Sequence, residues 1–339
     1  MKIFALRPDH LPHSSRIYLD NISSRLSGLG HEITCFSGPE LPPQADIYWQ
    51  PSAGRNGPSG IFRNAGSPVV VTFHGAANLA LPVSDCYGWG WRQMVRGYRA
   101  RWETYRSWQR GRQLCSAVIA VSEYAKKEAV RYLRLPEALV TPIHHGVDHK
   151  IFYPGNEQDN TGSYLLHISS YQPKKNIERM IAAYRTIDHR SKPRFKIVSP
   201  GYRPVENIEG IEFIDRSLDQ RAIAELYRGA IGFIFPSLHE TFGMPIIESM
   251  ASGCPVITSN NTACAEIAGE AALLIDPLSV RSIAVCLERL LDDDKLRKAL
   301  VHKGIERAGT FNWDKSAKEH AAVFKKLMTK TRKSGAMYE

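Results

Sequence analysis

No apolar run in this sequence approaches the roughly 20 residues that a bilayer-spanning helix needs, so a helical membrane protein is not expected. A secretory leader is not expected either, because Asp9, His10, Arg16 and Asp20 break up any apolar block in residues 1–30. Cysteine is sparse. Cys35, Cys86, Cys115, Cys254, Cys264 and Cys286 stand apart, with no C-x-x-C pair to suggest zinc or a dithiol switch. Reduced thiols in a cytoplasmic setting are the expectation. Carboxylate clusters at magnesium or manganese spacing are also lacking. The run Asp292-Asp-Asp294 imitates one, but it falls between two helical patterns, where an aspartate caps the second helix. No metal site is expected, and no repeat of short period appears.

What the chain does hold is the composition of a soluble globular protein, 43% hydrophobic and 23% charged over 339 residues, enough for two domains. The net charge of +10 is uneven. Residues 1–154 carry 18 Lys+Arg against 11 Asp+Glu, and the segment Arg92–Arg112 holds seven arginines with Glu103 as its only acid. Such a surface suits nucleic acid, anionic lipid or a phosphorylated substrate, and charge alone does not choose among them.

Short β-branched and aromatic runs alternate with helical patterns from end to end, which predicts an α/β fold built on parallel sheets. Strands are expected at Lys2–Leu6, Glu32–Phe36, Ile47–Gln50, Val69–Phe73, Val118–Val121 and Val140–His144. Helices fit Ser15–Leu29, Trp91–Arg112 and Glu123–Leu133, the last with Ser122 as its N-cap. Tyr153–Gly162 is rich in Pro, Gly, Asn and Asp and reads as a linker. The pattern then restarts, with strands expected at Tyr164–Ile168, Phe195–Val198, Ile211–Ile214, Ile231–Phe235, Val256–Ser259 and Ala272–Ile275. Helices fit Ile177–Asp188, Asp219–Arg228, Pro245–Ser252, Val280–Leu291 and Lys295–Glu306. The expected organisation is a domain over 1–154, a second over 155–312, and a helix over about 313–330 that could pack on either. Two such arrays facing one another would make a cleft, and ligands bind at the carboxyl ends of parallel strands.

The most informative stretch is Phe235-Pro-Ser-Leu-His-Glu-Thr-Phe-Gly-Met-Pro-Ile-Ile-Glu248. A buried strand ends at a proline, and a loop carries Glu240 over its mouth. Gly243 lets the backbone approach a ligand, and Pro245 suits the first turn of the following helix. That helix would aim free N–H groups and the positive end of its dipole at the site, an arrangement suited to phosphate. Glu248 follows eight residues after Glu240, so the two carboxylates could grip different parts of one elongated ligand. Hydrogen bonds from sugar hydroxyls to a carboxylate are worth about 1.5–3 kcal/mol each. Taken singly, Glu240 reads more readily as a solvated loop acid and Glu248 as a helix N-terminal charge; it is the full arrangement that points to a ligand.

Glu-Thr-Phe-Gly-Met-Pro followed by Glu248 and then Gly253-Cys-Pro-Val256 resembles the signature of retaining glycosyltransferase family four, whose two Rossmann-like domains form the GT-B architecture. The resemblance implies that Glu240 contacts donor-sugar hydroxyls and Glu248 the ribose. It further implies that the amides of Thr241, Phe242, Gly243 and Met244 line the sugar and diphosphate. Leu166-His-Ile-Ser-Ser-Tyr-Gln-Pro-Lys-Lys-Asn176 is similar to the start of the family's donor domain, where Lys175 fits the lysine that binds the diphosphate. Ser169 stands where many relatives carry an arginine, so neutralisation would lean on Lys175, the helix N-terminus and neighbours such as Lys174. Ile119–Lys126, His144–Asp148 and Ala263–Gly269 resemble further landmarks of the family, with Glu266 read as structural. His74, after Val71-Thr-Phe73, matches the family's histidine near the reacting carbon, although a lone histidine is often a core residue. Relatives carry a Gly-Gly loop after the first strand. Here Pro8–Ser15 takes its place, with Ser14 and Ser15 as candidates for acceptor contact.

Trp91, Val95, Tyr98, Trp102 and Tyr105 recur at helical spacing beside Arg92, Arg96, Arg99, Arg106 and Arg110. Either the aromatics pack on the first domain and the arginines are solvated, or the face meets an anionic leaflet or a lipid-diphosphate acceptor. No nucleic-acid-binding motif accompanies them, and nucleic acid is not an expected partner. The resemblance thus implies a cytoplasmic enzyme, at the inner face of the membrane if that helix binds lipid. It would move a hexose, mannose by the style of the Gln172–Asn176 loop, from a GDP- or UDP-linked donor to a saccharide or lipid-linked saccharide in surface-polysaccharide synthesis. No cofactor and no metal are expected. The alternatives are a sugar-nucleotide epimerase of the same architecture and a non-catalytic basic module for polyanions or membrane.

Overall fold

A computed structural model describes residues 1–9, 11–155, 164–188, 192–204 and 207–335, so positions 156–162 of the expected linker lie outside the described residues. The chain divides into two compact units. One comprises Met1–Val83, Gly90–Gly146 and the residues from Asn312 onward; the other comprises Ser84–Trp89 and Val147–Phe311. The chain therefore leaves the first unit after Gly146, ahead of the expected linker.

The first unit is built on six strands: β1 (Lys2–Leu6), β2 (Glu32–Phe36), β3 (Ile47–Ala53), β4 (Val69–Phe73), β5 (Ala117–Ala120) and β6 (Val140–Pro142). They lie in the order β2-β1-β3-β4-β5-β6, every pair parallel. Central strands of a parallel sheet are covered on both faces and so read as continuous apolar runs. In β4, Val-Val-Val-Thr-Phe is buried throughout. Helix Glu123–Leu133 starts where Ser122 Oγ accepts from the Ala125 amide at 2.9 Å, the expected cap.

The C-terminal helix, Trp313–Gly335, belongs to this first unit. It is tied to helix His13–Gly28 by Tyr18 Oη and His320 Nε2 at 2.6 Å, and by Arg25 and Asp314 at 2.6 Å. Gly146 permits its close entry, because a Cβ there would run into the Trp313 backbone nitrogen.

The second unit repeats the plan with β7 (Tyr164–Ile168), β8 (Arg194–Val198), β9 (Ile211–Ile214), β10 (Ala230–Phe235), β11 (Val256–Ser259) and β12 (Ala272–Ile275). Their order is β12-β11-β10-β7-β8-β9, again all parallel. From β7 the chain winds one way through β8 and β9, then returns to the other side of β7 for β10. The loops after β7 and β10 therefore flank a point where the winding reverses, which is where open α/β sheets bind ligands. Helix Ile177–Thr186 packs Ile177, Met180, Ile181 and Tyr184 into a core with Leu165, Phe195 and Ile197. Asp219 and Asp293 cap helices Gln220–Arg228 and Asp294–Gly309, accepting from Ala222 and Leu296 amides at 2.9 Å. Among the described residues, no group of His, Cys, Asp and Glu could hold a metal ion, and no helix is long and apolar enough to cross a membrane.

One expectation is corrected, and one choice that the sequence left open is decided. The Pro8–Ser15 loop ends earlier than expected, because helix His13–Gly28 already contains Ser14 as well as Ser15; Ser15 is buried with its Oγ 3.3 Å from Ser52 Oγ. In helix Trp91–Gly111 the stripe of Trp91, Val95, Tyr98 and Trp102 does not pack inward. The buried face is Gly97, Ala100, Thr104, Trp108 and Gly111, whereas Trp91, Val95, Tyr98 and Trp102 are exposed. Small residues allow the close approach, and Trp108 anchors it, edge-on to Phe73 at 5.4 Å with Nε1 donating to Gly54 O at 2.8 Å.

Candidate functional site

The site in the second unit is assembled from the loops that follow β7 and β10. After β7, Pro173–Lys175 makes one tight turn, and Asn176 enters helix Ile177–Thr186 with a left-handed φ of 64°. Asparagine tolerates that conformation better than most residues. Its Nδ2 donates to Pro236 O at 3.0 Å and to Pro277 O at 2.7 Å, while the Leu238 amide donates to Lys174 O at 2.8 Å. The two loops are thus stitched together by backbone and amide bonds. On that seam, Lys175 Nζ donates to Glu240 Oε1 at 2.6 Å, with both side chains largely buried. Lys175 also stands 5.0 Å from the centre of the Phe235 ring.

The electrostatics follow from this geometry. Burial pulls the Glu240 carboxyl upward, but Lys175 and Lys174 outweigh it and hold the group at about 2. Glu240 is therefore ionised at any working pH, with Oε2 able to accept from a hydroxyl. Its backbone is fixed too, since the Ala263 amide donates to Glu240 O at 3.2 Å and Thr262 Oγ1 accepts from the Glu240 amide at 3.4 Å. Thr262 holds φ at 57°, an unfavourable conformation for a β-branched residue and a mark of constraint at a site.

Beyond Glu240 the chain passes Thr241, the buried Phe242 and Gly243, whose φ of 97° demands glycine. Helix Met244–Ala251 starts there, with Pro245 in its first turn. Phe242 is locked edge-on against Phe311 at 5.9 Å. Glu248 lies half-buried one turn into that helix, and burial raises its carboxyl to about 7. Two glutamates eight residues apart are thus held in opposite conditions, one paired and always charged, the other poised near neutrality.

Ser169 is buried and hydrogen-bonds at 2.8 Å to His167 Nε2, whose Nδ1 reaches Ile234 O at 2.8 Å. Burial pushes His167 down to about 4, so it stays neutral. Ser169 Oγ also lies 3.4 Å from Ser199 Oγ. Where an arginine would place a charge, this chain has a neutral hydrogen-bonded chain under the strand ends.

His74, Ser14, Ser15, Arg92, Arg96 and Arg99 belong to the first unit. His74 caps β4 with Nε2 donating to Pro51 O at 2.8 Å, and its ring packs 5.1 Å from Tyr18 and 5.6 Å from His145. Burial holds its pKa below the ordinary value despite the Pro51 hydrogen bond. Glu266 sits in helix Thr262–Ala268, where Arg307 grips its carbonyl at 2.7 Å. Sequence reasoning missed Asn176, Thr262 and His167. Their roles lie in backbone conformation and long-range hydrogen bonds, and only Asn176, beside two lysines at a helix start, carried any local signal.

The second unit matches the family model "Glycosyl transferases group 1" over residues 151–307, and residues 51–151 match "Glycosyltransferase Family 4". The chain is 26% identical over 230 residues to O-antigen chain mannosyltransferase B of Escherichia coli, covering 62% of this chain and 60% of that protein. It is 25% identical over 397 residues to the MMP alpha-(1->4)-mannosyltransferase of Mycolicibacterium hassiacum, covering 93% and 95%. Among solved structures, sucrose-phosphate synthase from Thermosynechococcus elongatus matches with a TM-score of 0.75 at 16% identity, over 97% of this chain and 99% of that one. Anabaena HepE in complex with UDP and glucose matches at 0.68 and 14%, over 96% and 100%.

Proposed function

The chain belongs to the family-four, group 1 glycosyltransferases and has their GT-B fold, and from that premise we propose that it transfers a hexose from a nucleoside-diphosphate sugar. Transfer proceeds with retention and without a metal ion or cofactor, and the acceptor is a saccharide or lipid-linked saccharide. The observation that carries this reading is the Lys175–Glu240 pair, set where the winding of the second sheet reverses.

In this reading Glu240, ionised and fixed by its lysine, accepts hydrogen bonds from donor-sugar hydroxyls. Lysine has three donors, so Lys175 can hold Glu240 and still reach the diphosphate. At about 4 Å a lysine and a phosphate charge attract by roughly 4 kcal/mol at an effective dielectric of 20. The N-terminus of helix Met244–Ala251 adds up to about 2 kcal/mol. Lys175 therefore contributes more to holding the diphosphate than the helix does, and the Thr241–Met244 amides line the sugar and diphosphate. Glu248 takes the ribose hydroxyls. The acceptor hydroxyl attacks the anomeric carbon on the face the diphosphate leaves, and a departing phosphate oxygen takes its proton. Stabilising charge on the leaving group is the main catalytic contribution.

Mannose is the proposed sugar, on the names of both curated relatives. The HepE complex supports a nucleoside diphosphate in a fold of this kind. The test is a panel of UDP- and GDP-sugars, each incubated with and without EDTA. Thermal shift reads binding, and release of nucleoside diphosphate with a saccharide acceptor reads transfer. One donor should stabilise the protein and be consumed only when acceptor is present, with EDTA indifferent. Donor consumption without acceptor would point to an epimerase, and no response to any nucleotide would overturn the reading.

A further inference from the structure

Helix Trp91–Gly111 carries two apolar faces, and only one of them is used. At about 100° per residue, Gly97, Ala100, Thr104, Trp108 and Gly111 share the side packed into the first unit. On the opposite side Trp91 is 74% exposed, Val95 63%, Tyr98 57% and Trp102 57%. These four form a strip about 17 Å long at 1.5 Å per residue. Large apolar side chains in a row facing water are costly, and they signal a partner.

The flank of the strip says which. Arg92, Arg96, Arg99, Arg106 and Arg110 run along one edge, all exposed. Arg92 stacks on Trp91 at 5.1 Å and Arg106 on Trp102 at 4.6 Å, which holds the guanidinium groups beside the aromatic strip. The helix has a single acid, Glu103, and Arg99 and Arg55 already engage it. Among the described residues, Arg92, Arg96, Arg106 and Arg110 have no carboxylate partner.

We propose that this face docks the protein on an anionic lipid leaflet. Trp91, Val95, Tyr98 and Trp102 enter the boundary between headgroups and acyl chains, and the arginines bind the lipid phosphates. Tryptophan and tyrosine favour that boundary, and a basic edge supplies attraction to anionic lipid. A second copy of the chain fits less well, because its arginines would meet these. A nucleic acid would use the guanidinium groups but leave Val95 in water. The proposal is independent of the transfer reading.

Co-sedimentation of the full chain with vesicles tests it, using phosphatidylcholine alone or phosphatidylcholine mixed with phosphatidylglycerol. Binding is expected to the mixed vesicles, weakened by salt, with a blue shift in tryptophan emission. Trp91→Ala combined with Trp102→Ala should abolish binding. Arg92→Ala and Arg96→Ala should each weaken it about fivefold. All four side chains are exposed, so the melting temperature should not change. The proposal is overturned if mixed vesicles are not bound, or if the double tryptophan variant binds as well as the parent. It is equally overturned if the face instead mediates self-association, or binding of single-stranded RNA, without binding lipid.

Discussion

Lys175 and Glu240, sixty-five residues apart in sequence, meet in a 2.6 Å ion pair at the carboxyl ends of adjacent strands β7 and β10. The pair does two jobs. It overrides the burial that would otherwise neutralise Glu240, and it fixes a cation over the Phe235 ring at the end of β10.

Breaking the pair from either side leaves an uncompensated charge in a largely buried site, at a cost of about 3–5 kcal/mol. Lys175→Met and Glu240→Gln should each lower stability, and the double variant should lose less than the two single losses together. Urea denaturation of the four proteins measures the coupling. Strict additivity would mean that the pair contributes nothing as a pair.

Glu248 gives the site a pH signature. Its carboxyl titrates at about 7, above an ordinary glutamate, because burial disfavours the charge. The protonated form is favoured in the fold, so its contribution to stability is complete at low pH and is lost as pH rises through about 7. Nucleotide binding should run the other way, since the ionised group is the better acceptor for ribose hydroxyls. Wild type should lose thermal stability relative to Glu248→Gln as pH rises from an ordinary glutamate's range of about 4.5 to about 7, and should gain nucleotide affinity as pH passes through about 7. Parallel profiles for the two proteins would remove Glu248 from the ribose site.

Asn176 is expected to matter more than its position suggests. Its side chain ties two carbonyls from separate loops while its backbone sits in the left-handed region. Asn176→Ala loses both bonds and strains the backbone, for about 2–4 kcal/mol together. Asn176→Gly relieves the strain but not the lost bonds, so it should recover about 1 kcal/mol. Chemical denaturation distinguishes them, and equal losses would show that conformation plays no part.

In the first unit, acid should loosen the C-terminal helix. His320 is buried against Tyr18 and pushed down to about 4, chiefly by burial, with His74 adding to the effect. A depressed histidine adds stability above its ordinary pKa of about 6.5 and loses it as pH falls towards 4. His145 and His74 are depressed as well, both chiefly by burial. Hydrogen exchange across residues 313–329 should accelerate over that window, and less so in His320→Gln. Unchanged exchange down to pH 4 would contradict it.

Much of this fold was legible because parallel strands announce themselves as short apolar runs. All twelve were anticipated with ends shifted by a few residues at most. Gly243, Ser122 and the capping aspartate of the Asp292–Asp294 run were legible for a local reason, since turn and cap chemistry acts over three or four residues. The docking of helix Trp313–Gly335 was not, because it depends on Tyr18 and His320, 302 positions apart. Nor was the outward face of helix Trp91–Gly111. Periodicity marks a stripe of aromatics without saying which side the small residues Gly97, Ala100 and Gly111 will pack. In the site, the twin glutamates could be seen in sequence, but their opposite ionisation could not. That difference comes from Lys175, which lies in the turn after another strand.

The most direct measurement is calorimetric titration of the full chain with UDP, GDP and their sugar derivatives, in EDTA, beside Lys175→Ala and Glu240→Ala. The expected result is saturable binding by wild type without metal. Lys175→Ala should lose affinity for the nucleoside diphosphate itself, and Glu240→Ala should lose only the increment due to the sugar. Undiminished binding by both variants, or binding that appears only when magnesium is restored, would contradict a site in which this lysine and this glutamate hold the donor.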